Sequence, residues 1–193
     1  MLFGRLAAAA AIALSCLAVA PTASAALSAK EKEQARADVQ KMARETLDRL
    51  YRTQPGAKAA IAKSAGYAVF SNFGMKIFFA GGGKGTGLAM NNQTKKPTYM
   101  KMVEVQAGLG IGAKKFRLVW VFDNAKDFNA FVNSGYELGG QASAAAKKGS
   151  QGGAYQGAVS VSPGVWLYQL TDEGLAAEIT AKGTKYYKDA DLN

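Results

Sequence analysis

Hydrophobic residues near the start of the chain recur at helical spacing. Within residues 28–53 the apolar positions follow a period of three to four, and charges of both signs occupy the opposite side. Ser28 and Glu31 have the spacing of a capping box, so we expect an amphipathic helix that ends near Thr53. This helix is expected to cover a sheet. The alternative, a helix lying on a membrane surface, would have a more uniformly basic polar face and larger apolar residues.

Between residues 74 and 113 the pattern changes to a period of two, carried by glycine. The alternating positions are Gly81, Gly83, Gly85, Gly87 and, in the second half, Gly108, Gly110 and Gly112. Side chains of a strand alternate between faces, so each half is predicted to be a strand with a glycine face. Turn-forming residues 91–97 lie between the halves and predict an antiparallel pair.

A glycine face implies that a backbone, a helix or a ligand approaches the strand closely. The fold class expected from this pattern is α+β: a curved, glycine-rich antiparallel sheet or small barrel covered by the N-terminal helices. A glycine face lined by ligand is the alternative.

The rest of the chain reads as shorter elements. A helix is predicted over residues 56–64 and another between Asn124 and Gly135. Strands are predicted over residues 67–70, 116–122, 159–162, 165–170 and 175–180, with residues 136–156 as a loop or irregular strand. Ser71 and Asn72 are predicted to break the first strand. Phe73, Phe78 and Phe79 are expected to be core or helix-packing residues rather than residues that stack on a ligand.

The first 25 residues have the organisation of a signal peptide. Arg5 precedes an apolar run over residues 6–20, and Ala23, Ser24 and Ala25 fit a cleavage site. We therefore expect a soluble periplasmic or secreted protein. A lipoprotein anchored through Cys16 is the alternative. Residues 26–193 are then one domain, with an N-terminal helix over 26–54 and a core over 55–190.

The residues available for chemistry argue against an enzyme. The chain has no histidine, which removes Ser-His-Asp and Cys-His nucleophile systems and the usual zinc sites. Neither the P-loop nor the dinucleotide-binding glycine motif fits the glycines around Lys84. No catalytic residue, metal site or cofactor is predicted.

Positive charge is concentrated in one part of the chain. Residues 56–118 contain ten lysines and arginines against Glu104 alone, and the formal net charge of the whole chain is +10. Such a field favours an anionic partner, which for an exported protein means lipid headgroups or envelope polymers. A solvated lysine surface without a partner is the alternative. Nucleic acid is not expected, because an ordered aromatic–basic motif is missing and export conflicts with it.

An ordered set of segments resembles a known family. Its members here are AIAKSAGYAVF, GGGKGTG, KPTYMK, QAGLGIGAKKF, FNAFVNSGYELGGQASAAAKKG, SVSPGVWLYQLTDEG and a terminal KYY, which together span about residues 55–190. They resemble the SYLF lipid-binding domain in its exported bacterial branch. The resemblance implies an α/β domain that binds phospholipid or phosphoinositide without enzymatic activity, and some eukaryotic members bind actin. This chain departs from the family pattern at Pro97-Thr98-Tyr99, where members commonly carry a tryptophan and a second proline.

Charge and resemblance together predict non-enzymatic binding of anionic phospholipid at the cell-envelope surface. The candidate headgroup contacts, each a phosphate-pairing cation, are Lys84, Lys95, Lys96, Lys101, Lys114, Lys115 and Arg117. The alternative is a structural or adaptor protein that binds an envelope polymer or a protein partner, and the sequence identifies no such partner.

Overall fold

The computed structural model describes residues 27–77, 80–107, 112–139, 155–172, 174–175 and 183–193. Three helices lie in this part of the chain: α1 (Ala29–Thr53), α2 (Pro55–Lys63) and α3 (Ala125–Ser134). The strands that accompany them are β1 (Gly66–Ile77), β2 (Ala80–Asn91), β3 (Pro97–Ala107), β4 (Gly112–Phe122), β5 (Tyr136–Leu138), β6 (Val159–Ser162), β7 (Val165–Thr171), β8 (Gly174–Leu175) and β9 (Thr184–Lys188).

The helix boundaries follow local sequence signals. The Ser28 hydroxyl accepts a hydrogen bond from the Glu31 backbone, and the Glu31 carboxylate accepts one from the Ser28 backbone, which completes the predicted capping box of α1. The Asn124 side chain caps α3. Gly135 follows with a φ of 75°, a left-handed conformation that glycine adopts without strain and that ends the helix.

The strands form one curled antiparallel sheet. Its order is β5-β9-β3-β2-β1-β4-β7-β6, with β8 paired to β7. The expectation of an α+β fold with a curved antiparallel sheet and N-terminal helices is confirmed.

Each face of the sheet has its own core. On the outer face, α1 and α2 pack on buried residues that include Val69, Val119 and Tyr168. On the inner face, α3 packs on a cluster of aromatic residues that includes Phe70, Trp120 and Tyr186. Two cores back to back explain why the central strands are buried on both sides over much of their length.

The glycine face of β2 lies on the inner side of the sheet. A Cβ at Gly85 would stand 2.5 Å from the Ser71 carbonyl oxygen and 2.6 Å from Cγ of Met102, and one at Gly83 would stand 2.9 Å from the Asn72 amide. The predicted close approach is therefore present, and neighbouring strands make it. Their backbone and side chains occupy the space above the glycines.

Three predicted details were wrong and one strand was missed, which makes four corrections. Residues 71 and 72 do not break the first strand, because Asn72 is buried and its amide donates to the Glu104 carboxylate of β3. The second glycine half is divided between β3 and β4, and residues 112–122 form one strand. Residues 184–188 form β9, a strand too short for its alternation to stand out in the sequence. The fourth correction, at Phe73, concerns the site. Gly108, Gly110, Phe78 and Phe79 lie outside the described residues.

Candidate lipid-binding surface

Helix α1 crosses the outer face of the sheet and covers only part of it. Near one edge, Nε2 of Gln40 donates to the Tyr99 hydroxyl on β3 at 2.6 Å. Near the other, the Arg49 guanidinium donates to the Asp172 carbonyl after β7 at 2.9 Å. Between these contacts the helix lies across β2, β1 and β4, so α1 does not cover the strand ends beyond it.

The pairing register divides this face into rows that run across the strands, because directly paired residues point to the same side. The row beneath α1 is buried and apolar except for the Tyr99 hydroxyl. Its members are Val119, Val69, Leu88 and Tyr99.

The next row, two residues along each strand, is polar, and its cations are paired with acids. Its members are Arg117, Ser71, Thr86, Lys101 and Tyr187. The Lys101 ammonium lies 2.9 Å from a carboxylate oxygen of Asp189 and 3.0 Å from one of Asp191. These carboxylates raise the pKa of Lys101, with the bond to Asp189 the larger cause, and Lys101 in turn lowers the pKa of Asp191. Arg117 lies 3.7 Å from the Glu45 carboxylate.

The third row, which we call the lysine row, alternates cations with apolar side chains. Its members are Lys115, Phe73, Lys84, Val103 and Lys185, on β4, β1, β2, β3 and β9. Phe73 is 49% exposed, and the Lys115 ammonium lies 5.7 Å from its ring centroid. Within the described part of the chain, neither Lys84 nor Lys115 has an acidic group within 4 Å. The row ends on β5 at the exposed Glu137.

Two and four positions beyond the lysine row along the strands, the paired register positions hold uncharged residues. The fourth row consists of Ala113, Met75, Gly82 and Val105, and the fifth of Ile77, Ala80 and Ala107. Val105 is 66% exposed. A large apolar side chain this exposed, next to a half-exposed phenylalanine, is typical of an interaction surface.

Phe73 separates two grooves. One, of about 510 Å³, is lined by residues that include Phe73, Lys84, Thr86 and Tyr187. The other, of about 450 Å³, is lined by residues that include Phe73, Lys115 and Arg117. Each groove therefore combines an aromatic wall with cations, and Lys84 and Lys115 lie on opposite sides of the ring.

Two neighbouring pairs of residues reverse the usual distribution of polar and apolar side chains. On β1, Asn72 is buried and Phe73 is exposed. On β3, Glu104 is buried and Val105 is exposed. Asn72 donates to Glu104 across the glycine face of β2, where Gly83 leaves space for both side chains. A buried polar pair that places apolar side chains in solvent reduces stability, which points to a function for the exposed side.

The structure divides the predicted contact residues into groups. Lys84 and Lys115 lie in the lysine row, and Lys101 and Arg117 lie in the paired row beside it. Lys95 and Lys96 lie in the turn between β2 and β3, at the opposite end of the strands. At about 3.3 Å per residue, the seven residues from Lys84 to Asn91 place that turn roughly 23 Å away. Lys114 pairs with Gly74, and its side chain lies outside the described part.

Several residues of this surface were missed by the sequence analysis. Phe73 was expected in the core and is exposed, so that prediction was wrong. Val103, Val105, Lys185 and Tyr187 were not identified. The sequence shows that residues alternate between the two faces of each strand. Whether the odd- or the even-numbered residues of β1 and β3 face solvent depends on the buried Asn72–Glu104 pair. The row itself depends on the register of five strands.

No helix in the described ranges is long and apolar enough to cross a membrane. The same residues contain no group of three His, Cys, Asp or Glu side chains arranged to hold a metal ion.

The chain is similar to a protein family and to a known bacterial protein. Residues 103–193, from β3 onward, match the family model described as "Ysc84: Las17-binding protein actin regulator". The chain is also 34% identical over 166 residues to Beta cell expansion factor A of Aeromonas veronii, an alignment that covers 86% of this chain and 62% of the relative. The chain thus spans less than two thirds of that relative. The SYLF/Ysc84 family is one of binding domains, and membership suggests lipid binding or an adaptor role. The matched segment, this identity and the curled α+β fold support the SYLF family as the one to which the chain is similar.

Proposed function

We propose that the protein binds anionic phospholipid membranes through the lysine row. The observation that carries the proposal is the alternation of Lys115, Phe73, Lys84, Val103 and Lys185 across five strands, on the part of the outer face that α1 leaves open. Lysines attract lipid phosphates, and the intervening apolar side chains can enter the headgroup region.

The spacing of the row suits a surface better than a single small ligand. Neighbouring strands lie about 4.8 Å apart, so lysines on every second strand are spaced by about 9.5 Å. One small anion could contact only one of these ammonium groups closely. A layer of headgroups could contact all three at once.

The expected affinity is low. Near a membrane each exposed lysine contributes on the order of 1 kcal/mol, and burying the exposed half of Phe73 adds roughly 1 kcal/mol. The three lysines and Phe73 together would supply about 4 kcal/mol, which corresponds to a dissociation constant of about 1 mM. We expect reversible peripheral binding, strengthened wherever further apolar residues contact the membrane.

Export, as predicted from residues 1–25, would bring this surface to the membranes of the cell envelope. In the cell envelope, the positive charge of the lysine row favours anionic phospholipid as the partner. An adaptor function is the second candidate, because the matched family description is that of a Las17-binding protein. An adaptor would use the exposed Phe73 and Tyr187 as protein contacts and would be indifferent to lipid charge.

Vesicle co-sedimentation of two matched double variants tests the proposal. Lys84→Gln/Lys115→Gln removes two charges from the lysine row, and Lys95→Gln/Lys96→Gln removes two from the distant turn. With vesicles containing phosphatidylglycerol, we expect the first to weaken binding roughly thirtyfold and the second much less. Binding should also weaken with salt, because exposed charges are screened within about 10 Å at 0.1 M.

Three results would contradict the proposal. Equal weakening in the two variants would show that overall charge matters and the row does not. Undiminished binding to neutral phosphatidylcholine vesicles would remove the role of headgroup charge. Absence of binding to either vesicle type would favour the adaptor function.

A further inference from the structure

We infer that the domain meets the membrane at a tilt that places Val105, in the fourth row, deeper than the lysine row, the lysine row at the level of the lipid phosphates and α1 outside. This inference rests on the proposed function and adds the orientation and depth of the bound state. The positions of Val105 and Phe73 along the strand direction then report how deeply each part of the sheet enters the membrane.

The first argument is the order of charge along the strands. Successive rows lie two residues apart, which is about 7 Å. Val105 and Gly82 therefore lie about 7 Å beyond the ammonium-bearing row, and the fifth row about twice as far. Interfacial apolar surfaces are buried about 5–10 Å into the boundary between headgroups and acyl chains. With the lysines at the phosphates, Val105 falls within that range.

Acidic side chains limit how far the membrane contact can extend toward α1. The row next to α1 has Glu45 beside Arg117 and Asp191 beside Lys101, and both carboxylates are about half exposed. Bringing these carboxylates against anionic phosphates would be repulsive, and the nearby cations are already paired with them. The membrane boundary is therefore placed between this row and the lysine row.

Among the described residues, the apolar character belongs to the outer face. At the intervening register position on β3, between Val103 and Val105, Glu104 is buried on the other face, so that face does not share the apolar character. Insertion of the strand ends straight into the bilayer would bury both faces. A tilt that lowers only the outer face brings Val105 inward without requiring the charged positions to follow.

Depth-dependent fluorescence quenching tests the tilt in the full chain. In a Cys16→Ser background, Val105→Cys, Phe73→Cys, Thr86→Cys and Thr94→Cys each place one thiol for an environment-sensitive dye at a different distance along the strands. On phosphatidylglycerol vesicles we expect quenching by acyl-chain spin labels to be strongest at residue 105, weaker at 73 and slight at 86. The dye at 94, in the distant turn, should remain quenched by aqueous iodide as in free protein.

The possible outcomes separate the tilt from the proposed function. Vesicle binding with equal quenching at residues 105, 86 and 94, or with residue 105 still open to iodide, would overturn the tilt and leave the lysine row as the binding surface. Loss of the preference for anionic vesicles in the unlabelled protein would overturn both. The order 105, 73, 86, 94 supports the tilt.

Discussion

The two halves of the outer sheet face are built by the same strands and differ in what covers them. In the half beneath α1 and α2, Val69, Leu88 and Val119 are buried. In the half beyond α1, Phe73 and Val105 are exposed although they continue the same alternation on the same strands. Alternation assigns a residue to a face of a sheet, and the placement of the helix decides whether that face becomes core or surface.

A second difference lies on the reverse side of the same strands. Behind the covered half are aromatic and aliphatic residues, such as Phe70 and Trp120. Behind the open half is the buried Asn72–Glu104 pair. The open half therefore has polar groups inside and apolar groups outside, which stability alone would not favour.

The largest expected effect is on the free energy of unfolding, when one alanine substitution in each half of the outer face is compared. Leu50→Ala removes a fully buried side chain of α1 from the covered half and should lower the free energy of unfolding by about 2–5 kcal/mol. Phe73→Ala in the open half should change it by less than about 0.5 kcal/mol while weakening vesicle binding. Urea denaturation and co-sedimentation measure the two quantities. A large loss of stability in Phe73→Ala would mean that both halves serve as core.

A smaller effect on stability is expected when glycines on opposite faces of β2 are each replaced by valine. Gly85→Val would press a Cβ against the Ser71 carbonyl and Met102, so we expect it to destabilise the protein by roughly 1–3 kcal/mol. A Cβ at Gly82, on the outer face, would stand 3.4 Å from the Glu104 carbonyl oxygen, so Gly82→Val should be tolerated. Thermal unfolding of both variants checks this, and equal melting temperatures would show that the inner face is not crowded.

The smallest effect concerns the row between the halves. The contribution of the Lys101–Asp191 pair should be present above about pH 4, since the pKa of Asp191 is lowered, and be lost as pH falls through that lowered value. Because the pKa of Lys101 is raised, the pair should persist in base until pH passes that raised value. Asp191→Asn should therefore lower the melting temperature slightly at neutral pH and not in strong acid.

Asp172→Asn is the matched control for this change. Its backbone carbonyl, rather than its carboxylate, accepts from Arg49, so the variant changes the same charge without removing that contact. An equal shift in melting temperature for both variants would show that net charge, and not the Lys101 pair, is responsible.

Much of the fold could be predicted from the sequence because its signals are local. The capping box of α1, the cap and glycine stop of α3 and the period-two glycines each depend on residues within a few positions. The fold class followed from them, whereas the family came from the resemblance of the ordered segments over about residues 55–190. The unbroken β1 could not be predicted, because Asn72 finds its partner 32 residues away on β3.

The site was harder to predict because it is assembled by register. Lys84 and Lys115 were identified from charge, but so were Lys95 and Lys96, which the β2–β3 turn places at the other end of the strands. Lys101 and Arg117 were predicted as headgroup contacts, and the structure gives both of them acidic neighbours. The sequence gives the number of lysines in this region, whereas their placement in separate rows follows from the pairing register of five strands.

The glycines of β2 have an entropic consequence for the open half. Glycine loses more backbone freedom on folding than any other residue, by roughly 0.5–1 kcal/mol relative to alanine in a strand. Gly82, Gly83 and Gly85 concentrate this loss in the part of β2 beyond α1, where Gly82 is exposed. Local opening of a sheet is easiest where order is costly and burial is small. A partner that rests on β4, β1, β2, β3 and β9 together would hold these strands in register and share the work of keeping them ordered.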